Sequence, residues 1–276
     1  MALTVNTNLS ALRAANSLNS TQGNLSNTLG RISSGLRVNK AADDAAGSAV
    51  AQNLGTLARS GRQAIRNSND GVSVIQTAEA ASKEVLNILD RMRELAVQSS
   101  SETLDDDERS YIDDEFDDLS AEVERIAQSN EFNDIALSDG TNTTLTVQVG
   151  VTNGTESQVD ITLGDLTSSN LGVQTAAIDL SSASTAQSAI DDIDTAIDSV
   201  NSIRAEYGSV QNRLDSAMSN MTTYVESLTA AKSQIVDADY AQETSEMTRL
   251  QVMQQAGVAA LAQAKGLNQS VVSLLG

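Results

Sequence analysis

Between residues 190 and 238 the chain repeats apolar side chains every seven positions without a break. One row reads Ile193, Val200, Tyr207, Leu214, Met221, Leu228 and Ile235; the row three residues on reads Ala196, Ile203, Val210, Ala217, Tyr224, Ala231 and Ala238. A seam of this length predicts one long coiled-coil helix, roughly 70 Å at about 1.5 Å per residue. No compact domain needs such an element. The seam requires a partner, and one lies upstream, where Ile75, Ser82, Leu89 and Ala96 interleave with Ala78, Val85 and Met92 across 71–99.

After the polar stretch Ser99-Ser-Ser-Glu-Thr a shorter helix follows, with Ile112, Phe116, Leu119, Val123 and Ile126 on its apolar face. Thr103 or Asp105 is placed to cap it, and the acids from Asp105 to Glu108 suit the positive end of a helix dipole. That acid run reads as a solvated first turn, since it lacks the ligand spacing of a calcium loop. The period then changes to two. Leu145, Val147, Val149 and Val151 alternate with polar residues, Thr152-Asn153-Gly154-Thr155 supplies a turn, and Val159, Ile161 and Leu163 alternate again. Asn-Gly between alternating runs predicts a tight β-hairpin. Residues 164–188, rich in Ser, Thr, Asn and Gly, read as loop.

Composition narrows the functions open to such a fold. The 276 residues contain no Cys, His, Pro or Trp and carry a formal charge of −20. Disulfides, zinc fingers and Ser-His or Cys-His catalytic pairs are excluded, and no cofactor or metal motif is present. A chain this acidic repels nucleic acid, and no run approaches the ~20 apolar residues that cross a bilayer. The beginning lacks the basic and apolar regions of an ordinary secretory signal. Charge is also unevenly placed: residues 1–36 hold only Arg13 and Arg31, and 240–276 only Glu243, Glu246, Arg249 and Lys265. Ends this poor in charge predict an assembly that buries them.

Both ends carry helical seams. Leu18, Leu25 and Ile32 interleave with Leu29 and Leu36. Leu250, Gly257, Ala264 and Val271 alternate with Met253, Ala260, Leu267 and Leu274. The two helices are expected to pair with each other. Their Asn, Gln, Ser and Gly content makes them weak alone, so neighbours are expected to add order.

These residues carry a resemblance. The block from Ile32 to Gly47, the segments Arg66–Gly71 and Gln76–Glu79, and Arg91-Met-Arg-Glu-Leu-Ala-Val-Gln98 resemble, in order, the N-terminal half of bacterial flagellins. Tyr207–Asp215, Ile235–Ala241, Gln254–Gly257 and Leu261 through Leu275 resemble the C-terminal half. The likeness spans about 1–140 and 185–276. It departs from many flagellins in leaving no room for large outer domains between the halves, and in a final stretch without the frequent Pro and Arg.

The resemblance implies a mainly α fold: a long antiparallel coiled-coil rod, a small β-hairpin region at its far end, and paired terminal helices. The segments are 1–44, the N-terminal inner helix with its connection; 45–189, the outgoing rod helices, hairpin and loop; 190–238, the return helix; and 239–276, the C-terminal inner helix. It implies a structural subunit that polymerises into the flagellar filament, with terminal helices lining an inner tube and the acidic rod outside. The assembly seams then include Leu18, Leu25, Ile32, Leu250, Met253, Leu267, Val271, Leu274, Leu214 and Leu228. Implied partners are further copies, an export chaperone, a filament cap and hook-junction proteins, with export to the cell exterior without a cleaved signal. Arg91, Leu95 and Glu115 fall where some flagellins meet a vertebrate innate receptor; the plainer reading makes Arg91 and Glu115 surface charges and packs Leu95 between subunits. Ser168, Ser169, Ser181, Ser182 and Ser184 are candidates for O-glycosylation. A hook–filament junction protein is the alternative reading, and the near-complete match through both halves favours the filament subunit. An enzymatic role would need a metal motif that a chain without His cannot supply.

Overall fold

The computed structural model describes residues 8–275, with side chains through Gly266. Its elements are α1 (Leu9–Ser34), α2 (Ala45–Ser99), α3 (Asp106–Ser129), β1 (Glu131–Phe132), β2 (Ile135–Ala136), β3 (Thr144–Gln148), β4 (Gln158–Thr162), α4 (Ala183–Val236) and α5 (Tyr240–Leu275). They form two compact units, one from Ala58–Val225 and one from residues up to Leu57 together with Glu226 onward.

In the unit Ala58–Val225, α2 and α4 pack antiparallel. Gly61 faces Val225, Gly71 faces Leu214, and Arg93 binds Asp194. The expected α2 seam is wholly inside: Ile75, Ala78, Ser82, Val85, Leu89, Met92 and Ala96 are all buried. Ser82 satisfies its hydroxyl by donating to the carbonyl of Ala78 at 2.8 Å, which is why a polar residue is tolerated there. A Cβ on Gly61 would lie 2.5 Å from Cγ2 of Val225, so glycine here lets the two helices approach closely. On α4 the predicted row is buried from Ile193 through Leu214, but Tyr224 is exposed and Val225 is buried in its place. A straight helix turns every 3.6 residues rather than 3.5, so a strict heptad drifts by about 20° per repeat and the buried stripe steps forward one residue.

α4 begins at Ala183, earlier than its heptads announce. The Ser182 hydroxyl accepts the N–H of Thr185 at 3.2 Å, and Ala186 and Ala189 carry the buried stripe in side chains too small to signal it. α3 starts at the capping box of Asp105 and Glu108: the Glu108 N–H donates to Asp105 Oδ1 at 2.8 Å and the Asp105 N–H to Glu108 Oε2 at 3.3 Å. Of the two proposed caps, Asp105 is the one used. Just upstream, the buried Arg109 guanidinium donates to the carbonyls of Ser99, Ser101 and Leu104 and so closes the end of α2.

Ile112, Phe116 and Val123 of α3 join Leu89, Met92 and Leu95 of α2 and Ile193, Ala196 and Val200 of α4 in one core. The segment 163–182 is a strap over this core rather than a free loop, with Leu166, Leu171, Val173, Ile178 and Leu180 buried. A second core gathers Val74, Ile75 and Ala78, the hairpin residues Val147, Val159 and Ile161, and Tyr207, Val210 and Leu214.

β3 and β4 pair antiparallel with Leu145 opposite Ile161 and Val147 opposite Val159, so the period-two reading names the inward face correctly. The turn does not follow the prediction. Strand pairing stops at Gln148 and Gln158, the N–H groups of Val149 and Gly150 both donate to the Ser157 carbonyl, and a short turn of 3₁₀ helix spans Thr155–Ser157. Asn153-Gly154 therefore sits within a wide connection. A two-residue hairpin turn occurs instead at Asn133-Asp134, whose φ angles of 50° and 64° join β1 to β2.

Candidate assembly surface

The unit containing the chain's two ends is built on α1 and α5. They pair antiparallel: the Asn8 amide donates to the Ala264 carbonyl at 2.9 Å, Leu18 packs on Gly257, Gln254 meets Gln22, and Arg31 binds Glu243 at 3.4 Å. Asn8 also caps α1 by accepting the Ala11 N–H at 2.9 Å. Both helices are continuous, so part of the cover expected from neighbours comes from within the chain. Their connections are tied together as well. The Arg37 N–H donates to the Val236 carbonyl at 2.7 Å, the Ala238 N–H donates to the Gly35 carbonyl at 2.9 Å, and Val38, Ala51 and Val236 form a small core beside them.

Two helices facing only each other bury a single stripe on each. On α1 that stripe is Leu18, Thr21, Leu25, Thr28 and Ile32, and on α5 it runs through Leu250, Gly257 and Ala264. The second predicted row of α5 is not part of it: Met253 is 43% exposed and Ala260 is exposed too. Leu267, Val271 and Leu274 lie outside the residues whose side chains are described. Outside the stripe, Leu9, Leu12, Leu29, Val252 and Val258 join Met253 as exposed large apolar residues. Heptad spacing assigns Leu29 and Met253 to seams, whereas Leu9, Leu12, Val252 and Val258 fall in no predicted row. The low charge of both ends was the signal that could have found them.

The remaining sequence candidates belong to other elements of the chain. Leu214 is fully buried in the core beneath the β3–β4 hairpin, where it holds its own subunit together. Leu228, on the α4 segment of the terminal unit, is also buried. Arg91 bridges Glu115 at 2.7 Å and Glu94 at 3.0 Å, and these hydrogen bonds, first to Glu115, hold its guanidinium pKa above the ordinary range. Leu95 is 1% exposed and packs inside the subunit's own core, so it offers nothing to a receptor or to a neighbouring subunit. Its place on the α2 seam between Met92 and Ala96 is the physical reason.

Ser168 is likewise buried, its N–H and hydroxyl both donating to Glu124 Oε2 at 2.9 Å, which removes it from the modifiable serines. Ser169, Ser181, Ser182 and Ser184 are exposed. No three His, Cys, Asp or Glu side chains among the described residues are arranged to hold a metal ion, and none of the described helices is long and apolar enough to cross a membrane.

Comparison with known proteins agrees with this arrangement. The bacterial flagellin N-terminal helical region matches residues 5–143, and the bacterial flagellin C-terminal helical region matches 190–275. A flagellin of Halalkalibacterium halodurans is 42% identical over 98% of this chain and 99% of its own. A flagellin of Bacillus subtilis is 36% identical, and a flagellar filament 33 kDa core protein of Treponema phagedenis 35% identical, each over 98% of this chain and 99% of its own. The crystal structure of Bacillus cereus flagellin superposes with a TM-score of 0.50 at 31% identity, covering 56% of this chain and 88% of that one. With both helical regions matched in order and the full length shared, the chain belongs to the bacterial flagellins, the structural subunits of the extracellular flagellar filament.

Proposed function

We propose that the outward apolar faces of the α1–α5 pair are the polymerisation surface, meeting neighbouring copies to line the inner tube of the filament. The observation that carries this reading is the exposure of Leu9, Leu12, Leu29, Val252, Met253 and Val258 on the least charged part of a strongly acidic chain. Large apolar side chains gathered on one unit mark an interaction surface. Full burial of such a side chain contributes about 1.5–3 kcal/mol, and these residues, already about half covered, stand to gain roughly half of that each. Contacts between unlike patches of identical copies build open filaments when the rotation from copy to copy does not close a ring.

The same face suits the other partners. An export chaperone would cover it before assembly, a cap at the growing end would hold incoming copies against it, and hook-junction proteins would present a like face at the base. Export as an unfolded chain, without removal of a leader, fits a sequence that needs neither disulfides nor proline isomerisation to fold. Receptor recognition would rest on Arg91 and Glu115, and O-glycosylation on Ser169, Ser181, Ser182 or Ser184.

The test is a double variant, Leu29→Asp with Met253→Asp, offered to filament seeds. Growth on the seeds should cease while helical content and melting remain those of the parent chain. Filaments of ordinary length from the double variant would refute the assignment.

A further inference from the structure

Asn153-Gly154 reads from sequence as a hairpin turn, and the structure frees it from that task. We propose that Asn153 is a site of spontaneous deamidation, through a succinimide closed by the backbone nitrogen of Gly154. Asn153 is the one asparagine in the chain followed by glycine. Its side chain is exposed and forms no hydrogen bond among the described residues. The attacking group is equally unengaged, since the Gly154 N–H donates no hydrogen bond within this connection. Gly154 is extended, with φ −152° and ψ 157°, rather than locked in the left-handed turn that Asn-Gly favours. Glycine at 154 places no Cβ beside the nitrogen; the Glu156 carboxylate occupies that space instead.

The step balances without a catalyst. The Gly154 nitrogen loses its proton and attacks Cγ of Asn153, the C–N bond of the side-chain amide breaks, and ammonia leaves carrying that proton. Water then opens the five-membered ring. Opening at the side-chain carbonyl gives aspartate, and opening at the backbone carbonyl gives isoaspartate, with a methylene inserted into the main chain. Either product adds one negative charge to the chain.

Two related dipeptides show what restraint would look like. Asp70-Gly71 lies within α2, where the helix holds the backbone and Gly71 is buried. Asp139 precedes Gly140, but its carboxylate accepts the N–H of Thr141 at 2.9 Å and the Thr141 hydroxyl at 2.7 Å, which hold it in place and favour its ionised form. Asn153 has neither restraint.

The test follows full-length protein in warm, mildly alkaline buffer, with peptide mapping by mass spectrometry and enzymatic methylation of isoaspartate as readouts. Deamidation at Asn153 should run roughly tenfold faster than at any other asparagine, equivalent to about 1.4 kcal/mol in the barrier. Folded and urea-denatured protein should react at similar rates. The acidic species that accumulates on isoelectric focusing should be absent from Asn153→Gln. A folded rate tenfold or more below the denatured rate, or another asparagine reacting first, would overturn the proposal.

Discussion

The phenolic oxygen of Tyr207, in the middle of α4, accepts a hydrogen bond from the backbone N–H of Gly164 at 3.0 Å. The ring is fully buried in the core beneath the β3–β4 hairpin, and burial pushes the phenol pKa up. One helical turn earlier, Ile203 closes the same spot: a Cβ on Gly164 would lie 2.5 Å from its Cγ2. A polar tip on α4 and a bare backbone thus fix where the chain leaves β4 to begin the strap.

Removing either half of this contact should destabilise the fold. Tyr207→Phe leaves the Gly164 N–H without its partner and is expected to cost about 1–3 kcal/mol. Gly164→Ala overpacks against Ile203 at a cost of about 1–3 kcal/mol. Denaturant unfolding followed by circular dichroism measures both. Tyr224→Phe, on the exposed ring, serves as the control and should change little.

Leu214 tests the α2–α4 packing directly. It is fully buried against Gly71 and the hairpin. Leu214→Ala is expected to lose about 2–5 kcal/mol, and Leu214→Asp more, because an unpaired charge then lies among apolar groups. A monomer melting temperature unchanged by Leu214→Asp would show that this face of α4 does not pack against α2.

The acid-rich α3 carries a built-in pH dependence. Burial, and next the nearby Asp113, raise the pKa of Asp117, although the Thr175 hydroxyl opposes this. A raised carboxyl pKa means the folded state holds its proton more tightly than the unfolded state does. Its contribution is therefore present below the unfolded pKa and is lost as pH rises through the folded value. Asp117→Asn should stabilise the protein at neutral pH, and the advantage should fade on acidification. Asp194 runs the other way: its hydrogen bond from Arg93 lowers its pKa, so that contribution is present above the unfolded value and is lost as pH falls through the folded one. Asp194→Asn should destabilise at neutral pH and converge with the parent in acid. Melting curves across a pH series distinguish the two signs.

Assembly should quicken as salt rises. Arg91, Arg93, Arg125 and Arg204 already sit on carboxylates of their own chain, and with a net charge of −20 each copy repels the next over long range. The Debye length shrinks from ~30 Å at ~0.01 M salt to ~3 Å at ~1 M, which removes that repulsion, while apolar contacts persist and sulfate strengthens them. Seeded growth followed by light scattering should be faster in concentrated salt, with sulfate ahead of chloride. Faster growth in dilute buffer would mean that attractive ion pairs between copies control the interface.

Sequence alone determined the features that repeat. The seam from Ile75 to Ala96, the α4 row from Ile193 to Leu214, the inward face of the β3–β4 hairpin and the antiparallel pairing of the ends are all periodic, and a period names a buried face without knowledge of the partner. Asp105 was legible as one of two caps because capping is a local hydrogen bond. Tertiary structure decided what has no period or overrides a local preference. Leu166, Leu171, Val173, Ile178 and Leu180 are irregularly spaced, and they are buried because the helices of that core leave apolar surface for them to cover. The Asn-Gly preference at 153–154 gave way to the shared Ser157 carbonyl and the 3₁₀ turn, while the two-residue strands around Asn133-Asp134 are too short to show alternation. Leu95 and Ser168 look like surface sites in a motif or a serine-rich stretch, and only packing reveals that both point inward. Met253 and Leu29 belong to seams by spacing, yet a helix that faces one partner buries one stripe, so these residues remain exposed and available to another copy.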